Sequence, residues 1–377
     1  MKSRWLVVTL MLFLIFYAFA NDRVVIPVLY GQSKTDLESM VTSEDIKGVT
    51  LAAEKINRNG GLLGRKVELV ECVVTSVDME ELDAVYDKLT AVDDLFAVIG
   101  ANTSGISLYF APLLQKLGVL MISPIATNPK VTRAGDMIYR VCFTDPFQGK
   151  VMARFALEEL GAGSVVILTK TTSTFSLGLS EYFKEAFEKG GGTVLAEESY
   201  AYERVDFSSI LDRVKQLDPD VVFLPGHGTD SGMIIKQAEK MGIETVFLGG
   251  DGWGKGLIGF SGEEAAEGNY FSNHWHRDVD NPRSRAFVKR YYEKYGEGMI
   301  ASSAPLAYDA MSILAEAVER AGSFNSREIK KELDRITDFK GVTGTFDFTR
   351  GRDPYNKEAV ILKYEKGDII YHSTVSP

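Results

Sequence analysis

Residues 96–127 read FAVIGANTSGISLYFAPLLQKLGVLMISPIAT. An apolar run, Phe96–Gly100, leads into Ala101-Asn102-Thr103, a loop of small and polar residues. A helical stretch from Ser104 to Leu117 follows and stops at Gly118. A second apolar run, Val119–Ser123, then ends in Pro124-Ile125-Ala126-Thr127. Parallel strands buried by helices on both faces need such unbroken apolar runs, and their crossovers need a helix between them.

The same alternation extends in both directions. Upstream stand Val24–Tyr30, a helix over Glu44–Asn57, Val67–Val73 and a helix over Met79–Thr90. Downstream, a second series runs through a helix over Phe147–Leu160, Val165–Thr169, a helix over Leu177–Lys189 and Thr193–Glu197. It continues with a helix over Phe207–Gln216, Val221–Leu224, a helix over Ser231–Met241 and Val246–Leu248. Glycines mark the helix ends at Gly60-Gly61, Gly118, Gly161, Gly190-Gly191-Gly192 and Gly242. Two series predict an α/β protein of two doubly wound parallel-sheet lobes. An eightfold barrel is the alternative. Against it stand the helices over Arg283–Tyr295, Ala304–Ala321 and Arg327–Ile336, followed by strands near Gly344–Phe348 and Ala359–Tyr364.

Open α/β sheets bind ligands beyond the carboxyl ends of their strands. The loops there are Tyr30-Gly31-Gln32, Ala101–Gly105 and Pro124–Thr127 in the first series. The second series offers Thr171–Phe175, Gly226-His227-Gly228-Thr229 and Gly250-Asp251-Gly252-Trp253. Hydroxyls and helix-start amides suit a carboxylate, and Asp251 suits an ammonium group, so a small zwitterion fits the set. Plainer roles compete at each position. Ser104 and Thr229 can be helix caps, Asp251 can close an Asx-turn, and Phe175 and Trp253 can be loop packing.

Enzyme-like patterns fail on inspection. Gly249–Lys255 fits G-x-x-x-x-G-K, but Gly256 stands where Ser or Thr must hold Mg²⁺ and Asp251 would repel phosphate. Gly226-His227-Gly228 with Gly232 is misspaced for a dinucleotide loop. His274 and His276 lack a third metal ligand nearby in sequence, and no G-x-S-x-G elbow occurs. Neither a catalytic residue nor a cofactor or metal site is predicted.

The 377 residues carry 42 Lys+Arg against 52 Asp+Glu, a formal net charge of −10. That balance disfavours nucleic acid and anionic membranes as partners. Lys2 and Arg4 precede an apolar run, Trp5–Tyr17, and Ala18-Phe19-Ala20 completes a signal-peptide pattern cleaved before Asn21. The expected product is an exported, soluble, periplasmic protein. There Cys72 and Cys142 can be bridged or can be two reduced buried thiols.

Several motifs carry a family resemblance. Asp45-Ile46-Lys47-Gly48, then Ile56-Asn57 and Gly60-Gly61-Leu62-Leu63-Gly64-Arg65-Lys66-Val67, resembles the amino-terminal motif of leucine/isoleucine/valine-binding periplasmic solute-binding proteins, which serve ABC importers. Ala97–Gly100, Ser104 and Gly118–Thr127 look like the second motif. Phe207–Leu211, Asp220–Phe223 and Pro305–Ala310 resemble later ones. The resemblance spans essentially the whole mature chain. It implies two lobes joined by a three-crossing hinge, with ligand in the interlobe cleft. Residues 21–143 plus 276–350 would form lobe one, and 144–275 plus 351–377 lobe two. It also implies an ABC-transporter permease as partner, an amino acid as ligand, and a monomer; a sensory module for a chemoreceptor, or a binder of amides or small carboxylates, is the alternative.

By position, the resemblance implies that Ser104 and Thr127 hold the ligand's carboxylate and ammonium. Ile125 would lend a carbonyl, with Ala126 beside it, Asp251 would pair with the ammonium, and Phe175 would cover the ligand. Asn102, Thr103 and His227, with Ser303 nearby, stand where branched-chain binders carry apolar, small or aromatic side chains. Unpartnered polar groups there would penalise an aliphatic ligand, so a polar side chain is expected.

Overall fold

The computed structural model describes residues 23–32, 44–201 and 205–377; the expected signal peptide lies outside them. The first series forms β1 (Arg23–Gly31), α1 (Glu44–Arg58), β2 (Lys66–Val74), α2 (Met79–Thr90), β3 (Ala97–Gly100), α3 (Ser104–Leu117), β4 (Leu120–Ser123), α4 (Lys130–Arg133) and β5 (Ile138–Arg140). Its strands pair in parallel in the order β2-β1-β3-β4-β5. The order reverses beside β1, which places a ligand crevice at the carboxyl ends of β1 and β3.

The second series forms α5 (Asp145–Arg154), a π-helical turn (Phe155–Glu159), β6 (Ser164–Lys170), α6 (Thr174–Lys189), β7 (Thr193–Tyr200), α7 (Ser208–Leu217), β8 (Val221–Phe223), α8 (Gly228–Lys240), β9 (Val246–Gly249), α9 (Lys255–Ser261), α10 (Glu263–Ala266) and β10 (Tyr270–Asn273). Then α11 (Pro282–Tyr295), α12 (Ser303–Ala321) and α13 (Ser326–Leu333) return to the first lobe, with the small hairpin β11 (Phe339–Lys340) and β12 (Thr345–Phe346). Finally β13 (Ala359–Glu365) and β14 (Asp368–Val375) complete a sheet ordered β14-β13-β10-β9-β8-β6-β7. The chain therefore passes between the lobes three times, after β5, after β10 and before β13.

Each lobe has its own core. The first joins residues between Val24 and Val141 to residues between Leu306 and Phe348. In the second, Val166 and Leu168 of β6 face one cluster while Val165 and Ile167 face another, so the strand is buried on both sides. Two glycines of the quoted motifs answer close approaches. A Cβ on Gly48 would lie 1.9 Å from the Ala304 carbonyl oxygen, where α1 meets α12. Gly100 sits at φ +139°, and a Cβ there would lie 2.1 Å from the Leu29 carbonyl oxygen.

Several local expectations change. β5, β10 and β14 were not anticipated, and β13 and β14 join β10 in antiparallel fashion at the edge of an otherwise parallel sheet. The strand expected near Gly344–Phe348 shrinks to the two residues of β12. α5 starts at Asp145, ahead of the expected Phe147. β10 stops at Asn273, short of His274 and His276, which turn to Asp251 and to the Ile369 carbonyl. Cys72 and Cys142 are free, buried thiols, and burial pushes Cys142 up to about 12. No helix among the described residues is long and apolar enough to cross a membrane.

Candidate functional site

On the first lobe, the loops at the strand ends are braced by their own hydrogen bonds. Asn102 accepts from the Gly31 N–H at 2.8 Å and donates to the Gly31 carbonyl and to Asp45. It thus clips β1 to β3 and to the start of α1. Thr103, not Ser104, is the N-cap of α3, its hydroxyl accepting from the Ile106 N–H. Ser104 is the first helical residue; it is buried, and its hydroxyl accepts from the Asn128 N–H at 3.3 Å. The amides of that first helical turn provide the partial positive charge that an anion can use.

The 124–128 loop is held by a fully buried arginine. Arg140 donates to the carbonyls of Ala126 at 2.5 Å and Asn128 at 2.9 Å, to the Thr132 hydroxyl, and to Asp353 at 2.6 Å. Ser123 donates to the Ala101 carbonyl and accepts from the Ala126 N–H, so the Ala101 and Ala126 loops are tied together. Ala126 and Thr127 are buried and Ile125 is half-buried. Asp353 lies on the third crossing, so hinge and loop form one bonded unit.

The second lobe presents a different surface. Asp251 follows β9 with its side chain only 6% exposed; one oxygen contacts His274 Nε2 at 2.9 Å and the other is buried without a partner among the described residues. His274 belongs to the second crossing and lies against Phe143 of the first, with ring centroids 3.7 Å apart. Burial holds the His274 imidazole below its ordinary range, which keeps it neutral and makes Nε2–H the donor to Asp251. Phe175 sits over the same loop. Its ring comes within 3.3 Å and 3.1 Å of where Cβ atoms of Gly250 and Gly252 would stand, so the glycines flanking Asp251 admit the ring. His227 caps α8 and meets Phe175 edge-on at 5.6 Å. Trp253 is packing: its ring covers Gly249 and neighbours Phe271 and Tyr364.

Where the lobes meet, sequence reasoning missed a residue. Asp145 opens α5, its N–H donates to the Thr127 carbonyl at 3.0 Å, and its carboxylate is wholly buried. Neither oxygen meets a partner in hydrogen-bonding geometry among the described residues. Burial pushes Asp145 up to about 7; the nearby Thr127 hydroxyl opposes this, Asp251 adds to it, and Arg140 opposes it. Gln148, one turn along α5, donates to Ser272 and leaves its own carbonyl oxygen buried and unpartnered. The lobes touch at Asn128, which donates to the Thr174 carbonyl at 3.4 Å. Asp145 begins a helix after Thr144 and before Pro146, a pattern that reads as helix-start chemistry, so no sequence signal singled it out.

The structure thus gathers Thr127, Phe175 and Asp251, with Asp145 and His274 added, around the meeting of the lobes. It gives Asn102 and Thr103 internal partners. No group of three or more His, Cys, Asp or Glu placed to hold a metal occurs among the described residues. Hydroxyls and helix amides on one lobe face a desolvated carboxylate beside an aromatic ring on the other, and this meeting of the lobes is the candidate ligand site.

The chain belongs to the periplasmic binding protein family, whose model matches residues 28–368. A leucine-binding protein LivK from Thermotoga maritima is 32% identical, with a TM-score of 0.87, covering 94% of this chain and 99% of its own. The substrate-binding protein LivJ of a branched-chain amino acid transporter from Streptococcus pneumoniae, solved with isoleucine, is 30% identical with a TM-score of 0.86, over 94% and 100%. The Leu/Ile/Val-binding protein homolog 3 of Brucella melitensis is 27% identical over 86% of this chain and 87% of its own.

Proposed function

We propose that this protein captures an α-amino acid between its lobes outside the cytoplasm and delivers it to an ABC-importer permease. The observation that carries the reading is Asp251: a buried carboxylate oriented by His274, with its other oxygen lacking a partner among the described residues. Such an oxygen calls for a cationic donor, and an ammonium group supplies one. The Ile125 carbonyl and the Thr127 hydroxyl would complete the ammonium site. The Ser104 hydroxyl and the first-turn amides of α3 would take the carboxylate, and Phe175 would cover the ligand. Closure follows because the second lobe adds contacts that only the closed state makes. Lobe one would comprise 21–143 plus 276–350 and lobe two 144–275 plus 351–377, acting as a monomer in the periplasm after signal cleavage.

Two of the residues behind the expected preference for a polar side chain no longer support it. Asn102 and Thr103 spend their polar atoms on Gly31, Asp45 and the α3 cap, so they do not penalise an aliphatic ligand. The leucine-binding and isoleucine-bound relatives agree with an aliphatic side chain. Calorimetric titration of ligand-stripped protein with the twenty amino acids tests both points. The expected result is tightest binding by leucine, isoleucine or valine, lowered more than 100-fold by Asp251→Asn, since breaking a buried ion pair costs about 3–5 kcal/mol. Unchanged affinity in that variant removes Asp251 from the site, and tighter binding of a polar amino acid restores the earlier preference.

A further inference from the structure

Asp145 and Asp251 lie within electrostatic reach of each other, and together they leave three buried carboxylate oxygens without a hydrogen-bond partner among the described residues. Two adjoining buried carboxylates do not both stay ionised without a cation to compensate them. The cations nearby are already engaged. Arg140, from β5, is spent on Asp353, Thr132 and two carbonyls. Lys357, on the third crossing, donates to the Thr343 carbonyl beside Asp309. His274, from the second crossing, is neutral and donates its Nε2–H hydrogen bond to Asp251. Cys142 of the first crossing is a neutral thiol. From α6, Gly178 packs against Asp145, its Cβ position lying 3.0 Å from Oδ2, and it brings no side chain.

We propose that the empty site holds a proton on Asp145 and that amino-acid binding exchanges this proton for the ligand's ammonium group. The exchange rests on the amino-acid reading above. The carboxyl O–H bond breaks, the proton leaves to solvent, and the ammonium cation takes its place beside the two aspartates, so the positive charge there is conserved while the ligand's own carboxylate is compensated on the first lobe by the α3 amides. Asp251 has a donor in His274 and Asp145 has only the neighbouring Thr127 hydroxyl, which is why the proton resides on Asp145. With Asp145 raised to about 7, binding at pH 7 releases about half a proton per ligand. Release approaches one proton about a unit lower and nearly vanishes about a unit higher. Affinity falls up to about tenfold per pH unit below 7 and levels off above it.

Titrating leucine into the protein in buffers of contrasting ionisation enthalpy reads the released proton directly. An infrared spectrum of the ligand-free protein reads the other half, a protonated carboxyl band that leucine removes. Asp145→Asn is expected to give buffer-independent heats, a flat pH profile in this window, weakened binding and no such band. Leucine binding with buffer-independent heat and no band overturns the exchange while leaving the amino-acid reading intact. Absence of binding heat with every amino acid overturns both. Should the variant fail to fold, the buffer series and infrared band of the unmodified protein still decide.

Discussion

The two faces of the cleft are built on opposite plans. On the first lobe, Asn102, Thr103, Ser123 and Arg140 spend their polar atoms on the backbone around them, and the loops at 101–104 and 124–128 are fixed before any ligand arrives. Asp45 is the exception, with one oxygen held by Asn102 and the other buried without a partner among the described residues. On the second lobe and at the crossing that leads into it, Asp251, Asp145 and Gln148 keep buried acceptor atoms in reserve. The first face supplies shape and the second supplies electrostatic demand. Changes on the first face should therefore register in stability, and changes on the second in affinity and charge selectivity.

The largest expected effect is the sharpest test of that division. Arg140→Ala removes a fully buried cation and leaves the Ala126 and Asn128 carbonyls and Thr132 without their donor. It should destabilise folding by about 3–5 kcal/mol in urea unfolding, with ligand affinity falling in step. Asp251→Asn should do the reverse, cutting affinity more than 100-fold while shifting the unfolding midpoint little. If both variants moved stability and affinity alike, the contrast between the faces would collapse.

Smaller substitutions sharpen it. Asn102→Ala strands the Gly31 N–H and Asp45 and should cost about 1–3 kcal/mol of stability, read by denaturant titration, with a lesser change in leucine affinity. Protonation offers a finer probe. Burial raises Asp45 and Asp145 to about 7, so the folded protein binds protons that the unfolded chain, titrating near 4, does not. Their ionisation opposes folding as pH rises from about 4 through 7, so the melting temperature of the ligand-free protein should climb as pH falls from about 7 to 5. Leucine affinity should decline over the same interval. Thr103→Ala, losing one cap hydrogen bond, should cost about 1 kcal/mol in the same unfolding measurement.

Much of this architecture was legible in the chain. The run from Phe96 to Thr127 shows strand, helix and strand because each apolar block is continuous and bounded by Gly or Pro. β5 escaped notice because it is only three residues long and ends in Arg140, a charged residue that shows itself as part of a buried strand only in the structure. β14 escaped because an edge strand such as Tyr371-His372-Ser373-Thr374 has one face in solvent. Among the candidate site residues, Phe175 and Asp251 stand out in the sequence because they follow strands. Their orientation does not, since the Asp251–His274 contact joins positions separated by another strand and two helices. Asp145 was invisible for a sharper reason: a carboxylate at a helix start has an ordinary explanation, and only its burial shows that it lacks ordinary partners.

The tie from Arg140 to Asp353 also bears on the chain as it is made. Asp353 closes the network around Arg140 from late in the chain, so the loop at 124–128 gains that tie only once residue 353 has been made. A growing chain thus makes the loop long before it makes the carboxylate that completes the Arg140 network. Cutting the chain near residue 350 would remove Asp353 and should weaken recognition without touching any residue proposed to meet the ligand.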